Sequence, residues 1–294
     1  MSTLGNGPAL LEPTTRRFSQ LDVFTTTPLK GNPLAVVHDA DGLSDAQMQA
    51  FATWTNLSET TFLLQPTDER ADYRVRIFTP DGEFQFAGHP TLGSCHAWLA
   101  AGGQPRDAQQ VVQQCGIGLV TVRRDGERLA FAAPPLKREP IDDTLLAQVV
   151  DALGLPVGDL LGACWLDNGN RWIGLRVANA SRLRALKPDH SRLKPLAKVG
   201  VVAEQDAEGA AGTQFEVRGF AAPIGVAEDP VTGSLNASLA QWLIGEGLAP
   251  QRYVAAQGTA MGRAGRVHVT RDPASGTIWI GGDIAPCISG QVSL

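Results

Sequence analysis

The sequence predicts an α/β (α+β) protein made of two similar halves, each a set of strands followed by a buried helix. Three observations predict it. First, residues 89–99 read HPTLGSCHAWL and residues 229–239 read DPVTGSLNASL, a separation of 140 residues. Second, Val75-Arg76-Ile77-Phe78 returns as Val217-Arg218-Gly219-Phe220, in the same order and at a separation of 142. Third, Ala133-Pro134-Pro135-Leu136-Lys137-Arg138-Glu139-Pro140 lies near the midpoint and reads as a linker, since proline supports neither helix nor central strand. A chain of 294 residues accommodates two domains. No repeat of 20–50 residues is seen, which argues against a solenoid.

The elements follow in order. Residues 1–16 read as a loose extension. Phe18 to Thr25 alternates as a strand, Gly31-Asn32-Pro33 is turn-like, and Leu34–Val37 is a second strand. Ser44 opens a helix, with Gln47 placed for a capping box and Leu43 and Met48 at the staple positions. Thr61–Leu64 and Tyr73–Phe78 are strands, the second alternating Tyr73, Val75 and Ile77 with charged residues. Pro90 suits the first turn of a helix that stops at Gly102-Gly103. In the second half, Asp142 or Asp143 caps a helix to Leu153, Gly212–Phe220 is strand-like, and Asp229-Pro230 opens a helix ending near Gly245.

Composition narrows the function. Apolar residues make up 43% and charged residues 19%, the balance of a globular protein. The net charge of −5 leaves no basic surplus for phosphates, which argues against a nucleic-acid partner. No run approaches 18 apolar residues, and the N-terminus lacks the pattern of a signal peptide. Cys95, Cys115, Cys164 and Cys287 lie far apart, without metal-ligand spacing, and fit small hydrophobes in a reduced, cytoplasmic protein.

The two helix starts carry the chemical interest. A helix N-terminus offers free N–H groups and partial positive charge, so it attracts anions. Duplicated halves would set two such starts across one cleft, suited to a small carboxylate. His89 stands at one start and Asp229 at the other, and both groups move protons. Asp229 read alone is equally an N-cap. Glu228 reads as a solvated neighbour, and His38, His96, His190 and His268 as structural. Arg171 and Trp172 fit a pocket lining or a plain turn and strand start equally well. Glu59, flanked by apolar sequence, can have a raised pKa and serve as acid and base, although an exposed loop position is the default.

Six segments then occur in a characteristic order: Leu21-Asp22-Val23-Phe24, Gly31-Asn32-Pro33-Leu34-Ala35-Val36, Asn56-Leu57-Ser58-Glu59-Thr60, Arg76-Ile77-Phe78-Thr79-Pro80, Phe86-Ala87-Gly88-His89-Pro90-Thr91 and Glu228-Asp229-Pro230-Val231-Thr232-Gly233-Ser234. From about Phe18 onward the chain resembles the PhzF family of phenazine-biosynthesis-like proteins. The resemblance implies a diaminopimelate-epimerase-like fold of two pseudo-symmetric halves, each a curved sheet around a central helix. It divides the chain into residues 17–134 plus 279–294 as one half and 135–278 as the other. It also implies that Glu59 shuttles a proton with help from His89 and Asp229, and that Gly88, Ser58, Thr91, Gly233 and Ser234 hold the substrate. The reaction so implied is isomerisation of a molecule like trans-2,3-dihydro-3-hydroxyanthranilate, with no metal or other cofactor, in a protein for which a homodimer is plausible.

Departures from the family pattern bear on substrate identity. Leu235 and Asn236 replace smaller residues after Gly233-Ser234 and are expected to alter the pocket wall; Gly262-Arg263-Ala264-Gly265 stands where the family has Gly-Arg-Pro-Ser. Facing thiols, used by epimerase relatives, are not expected, because His89 and Asp229 occupy the corresponding positions and Cys95 lies deeper in its helix. Three readings stand: a cofactor-free isomerase, an epimerase or racemase of a small carboxylate, and a non-catalytic binding protein that kept the cleft.

Overall fold

The computed structural model describes residues 14–126, 128–207 and 209–294. The first half contains β1 (Thr15–Val23), β2 (Asn32–Val37), α1 (Asp45–Thr55), β3 (Thr60–Leu64), β4 (Tyr73–Thr79), β5 (Gly82–Phe84), α2 (Gly88–Ala100), β6 (Gln110–Cys115), β7 (Gly118–Asp125) and β8 (Arg128–Ala132). After β9 (Lys137–Glu139) and α3 (Asp143–Leu153) the same order returns: β10 (Leu160–Asp167), β11 (Arg171–Val177), α4 (Ala180–Ala185), α5 (His190–Leu193), β12 (Val199–Glu204), β13 (Phe215–Ala221), β14 (Val226–Asp229), α6 (Gly233–Gly245), β15 (Arg252–Gln257), β16 (Gly265–Arg271) and β17 (Ile278–Gly282). A last strand, β18 (Ile284–Ser293), follows. Up to residue 13 the expected extension lies outside the described residues, whereas Thr15 and Arg16 belong to β1.

The pairings repeat with the elements. β2–β3 and β11–β12 are parallel, β3–β4 and β12–β13 antiparallel, and β4–β6 and β13–β15 parallel. The strands form one continuous sheet, whose first-half strands pack on α2 and whose second-half strands β10, β16 and β17 pack on α6. The halves join where β8 pairs with β17, and β18 returns to pair with β1. This is the predicted fold class of two pseudo-symmetric halves; the expected boundary at residue 279 falls inside β17, which pairs with β16 on one side and β8 on the other. Among the described residues no helix is long and apolar enough to cross a membrane.

Register gives the equivalence between halves residue by residue. Thr60 pairs with Phe78 and Val199 with Phe220, so β3 superposes on β12 with Glu59 opposite Lys198. Ala35 pairs with Thr60 and Ile173 with Val199, which makes Asn32 the counterpart of Asn170. Ile77 pairs with Phe84 and Gly219 with Asp229, so the counterpart of Asp229 is Phe84. The two central helices match from Gly88 and Gly233, which pairs His89 with Ser234. The repeat HPTLGS/DPVTGS therefore misaligns the halves. The β13–β14 connection is longer than the β4–β5 turn and carries a bulge, which shifts the register downstream.

Local signals explain the helices. The Ser44/Gln47 capping box is present on α1, and Asp142 caps α3 through the Thr144 and Leu145 N–H groups. Asn179 and Asp189 cap α4 and α5. The central helices differ. Ala87 precedes α2 and cannot cap, and Thr232 precedes α6 without a side-chain cap bond. The second helix does not start at Asp229-Pro230 as the sequence suggested. Asp229 is the last residue of β14, and Thr232, still extended at φ −109°, gives its N–H to Gln257 Oε1 at 3.0 Å.

Candidate active site

The N-termini of α2 and α6 abut. A Cβ added to Gly233 would lie 3.2 Å from Gly88 Cα and 3.3 Å from His89 N, and one added to Gly88 would lie 2.6 Å from the Phe131 ring. Glycine at both positions is what lets the two backbones approach this closely. Both helices therefore present first-turn N–H groups, uncapped by side chains, to one place. That place is a cavity of about 710 Å³, within the range of small-molecule sites.

Ser58, Glu59, Gly88, His89, Asp229, Gly233 and Ser234 all line this cavity. Thr91 does not. It is fully buried, and its Oγ1 accepts from Gln113 Nε2 at 3.1 Å, because its place in the first turn turns it toward the sheet. Leu235 and Asn236 also fail to form the pocket wall. Leu235 packs against Gly200 and Gly219, and Asn236 donates to Gln257 Oε1 at 2.8 Å. Trp172 lines the cavity, whereas Arg171 pairs with Glu139 outside it at 3.0 Å. Glu228 is not a solvated neighbour: Arg218 donates to it from Nε at 2.8 Å and from Nη2 at 2.7 Å, in a bidentate pair. Cys95 is buried in the core, where burial raises its thiol pKa.

Glu59 ends the segment between α1 and β3, and its side chain faces inward. Oε2 lies 3.5 Å from His89 Nε2, and neither atom has a hydrogen-bond partner among the described residues. Burial, reinforced by the charge of Asp229, pushes the Glu59 carboxyl up to about 8. Burial also pushes His89 down to about 3, partly opposed by a hydrogen bond to the Pro33 carbonyl. At neutral pH this contact is thus a neutral imidazole beside a protonated carboxyl, and not an ion pair.

Asp229 is held more firmly. Thr232 Oγ1 donates to Oδ2 at 2.6 Å and Asn32 Nδ2 to Oδ1 at 2.9 Å. Burial raises its carboxyl to about 6, and those two donors restrain the rise. Two carboxyl groups thus share one cavity, both raised by burial and Glu59 the further of the two. Asn32 was not singled out in the sequence. Its amide also donates to Val231 O at 2.8 Å and lies 3.5 Å from His89 Nδ1, tying the two halves together. Gln257, likewise missed, donates to Asp229 O at 3.1 Å and Thr232 Oγ1 at 3.0 Å. Lys198, Asn170 and Trp172 complete the second-half wall. Among the described residues no cluster of His, Cys, Asp and Glu could hold a metal ion.

Two abutting helix starts and two buried carboxyl groups thus share one cavity. The comparisons give the family, whose named relatives include isomerases and epimerases. Residues 21–290 match the phenazine biosynthesis-like (PhzC-PhzF) proteins, and the chain belongs to that family. It is 36% identical over 292 residues to antisense-enhancing sequence 1 of Schizosaccharomyces pombe, covering 95% of this chain and 99% of that one. It is 34% identical over 267 residues to trans-2,3-dihydro-3-hydroxyanthranilate isomerase of Pseudomonas aeruginosa, covering 88% and 91%. Among solved structures, a PhzF-family phenazine biosynthesis protein of Bacillus anthracis matches with a TM-score of 0.84 at 25% identity, covering 96% of this chain and 100% of that one.

Proposed function

We propose that this protein is a cofactor-independent isomerase that moves a proton within a small carboxylate, with Glu59 as the acid and base. One observation carries the reading: a carboxyl on the cavity wall, raised to about 8 and facing a neutral imidazole at 3.5 Å. The substrate carboxylate rests against the N–H groups at the starts of α2 and α6, with Ser58, Gly88, Gly233 and Ser234 around it. Glu59, protonated at neutral pH, gives its proton to one carbon and, as carboxylate, takes one from another. His89 positions the Glu59 carboxyl. Asp229 keeps its negative charge and so holds the proton on Glu59 until substrate arrives. General acid–base catalysis of this kind contributes about 10²–10⁴-fold.

The relative from Pseudomonas aeruginosa makes trans-2,3-dihydro-3-hydroxyanthranilate the first substrate to try. Its conversion is followed by NMR in D₂O with wild type and Glu59→Gln side by side. The expected result is turnover with deuterium entering from solvent, reduced about 10²–10⁴-fold in the variant. Equal turnover in both proteins would remove Glu59 as the acid and base. Epimerisation is the second reading, favoured by the presence of an acid and a base on one cavity. Deuterium entry with inversion at the labelled carbon, and no shift of a double bond, would select it.

A further inference from the structure

Lys198 stands at the position of the second half that Glu59 holds in the first, one residue before the equivalent strand. Its side chain lines the same cavity. The ammonium donates to Asn170 Oδ1 at 3.2 Å and lies 4.9 Å from the centre of the Trp172 ring. Among the described residues no carboxylate lies within ion-pair distance of it. The backbone fixes the base of this side chain, since Ile173 N donates to Lys198 O at 2.8 Å. A half-buried cation held by an amide oxygen and an aromatic face, facing a cavity, lacks the anion that would offset its desolvation. Burial lowers its pKa in keeping with that, with Asp167 opposing at a distance.

Asn170 N donates to Asn168 Oδ1 at 3.3 Å, and Asn168 Nδ2 donates to Ser234 O at 2.9 Å, so a chain of hydrogen bonds runs from the ammonium through two asparagines to the first turn of α6. With the helix starts given to one carboxylate in the isomerase reading, the ammonium is left to meet a different group. We infer that Lys198 receives a second anionic group of the substrate, and that the substrate class is a small dicarboxylate. This deepens the isomerase reading and rests on it for the reaction, although the binding can be tested without turnover.

Isothermal titration at neutral pH compares phthalate with benzoate and succinate with butyrate, on wild type, Lys198→Met and Lys198→Arg. Each dicarboxylate is expected to bind wild type about tenfold or more tightly than its mono-acid counterpart. The ratio should fall to about one in Lys198→Met and recover in part in Lys198→Arg. Wild type that binds neither dicarboxylate more tightly than its counterpart overturns the inference. So does a ratio unchanged in Lys198→Met, and so does an equal loss of mono-acid and dicarboxylate binding, which would put Lys198 on the first carboxylate. A lysine-dependent ratio in a protein whose Glu59→Gln variant still turns over would uphold this subsite while sinking the role given to Glu59.

Discussion

The two halves share a frame and differ in what they put on the cavity wall. Arg76 clamps Glu83 across the β4–β5 hairpin at 2.8 and 2.7 Å, and Arg218 clamps Glu228 across β13–β14 at the same distances. Each guanidinium also lies over a phenylalanine two residues on, at 5.0 and 4.9 Å. Asn32 and Asn170 match, as do Gly88 and Gly233. Where the cavity begins, matching stops: Glu59 corresponds to Lys198, His89 to Ser234, and Phe84 to Asp229. The repeated parts hold hairpins and helix ends in place. The divergent parts make a site with an acid on one wall and a cation on the other, which two identical halves could not make. Glu83 and Glu228 each have a bidentate partner, whereas Glu59 Oε2 has no hydrogen-bond partner among the described residues.

The largest effect expected from breaking that contrast concerns Glu59 and pH. Its folded pKa of about 8 lies above the ordinary 4.5, so the folded state holds the proton more tightly than the unfolded chain. Stability is therefore lost as pH rises from 4.5 to about 8 and levels off above it. Relative to Glu59→Gln, wild type should lose several kcal/mol across that window, read by denaturant melts at a series of pH values. A difference that does not change with pH would erase the distinction between the free and the clamped carboxylate.

Next in size is the clamp itself. The side chains of Arg218 and Glu228 are 6% and 11% exposed, against 17% and 34% for Arg76 and Glu83. Arg218→Met leaves a buried carboxylate unpaired and should destabilise by about 3–5 kcal/mol. Arg76→Met should cost about 1 kcal/mol or less in the same denaturant titration. Equal losses would mean that burial does not distinguish the clamps. The smallest effect separates the paired glycines. Gly88→Ala drives a methyl into Phe131 and should cost about 1–3 kcal/mol, while Gly233→Ala, with its nearest contact at 3.2 Å, should cost less.

Elements were legible in the sequence wherever a local rule decides them. The Ser44/Gln47 box and the Asp142 cap were readable because a cap involves neighbours only a few residues apart. Phe18, Leu34, Thr61 and Tyr73 all fall in strands where the apolar patterns put them, with ends displaced by a few residues. The duplication was readable too, but only the Val75/Val217 match carried the true register. The helix-start match lies five residues from the true register; the longer second hairpin moves the offset from 142 to 145, and a short motif carries no trace of that. Glu59 stood out through resemblance, since a glutamate between a helix and a strand looks like any loop residue until a cavity closes around it. Lys198 and Glu59 differ in both adjacent residues, so strand pairing is what makes the two equivalent. Glu228 was misread because its partner, Arg218, lies ten positions away across a hairpin.

β1 lies between β2 and β18, with Thr15 opposite Ser293. During synthesis one flank of β1 is therefore supplied almost at once and the other only after nearly everything else has been made. Until β18 emerges, β1 keeps an unpaired edge, open to a wrong strand or a neighbouring chain. The strands β9 to β17 are all made before then, so the first half is the one that closes only with the last strand among the described residues.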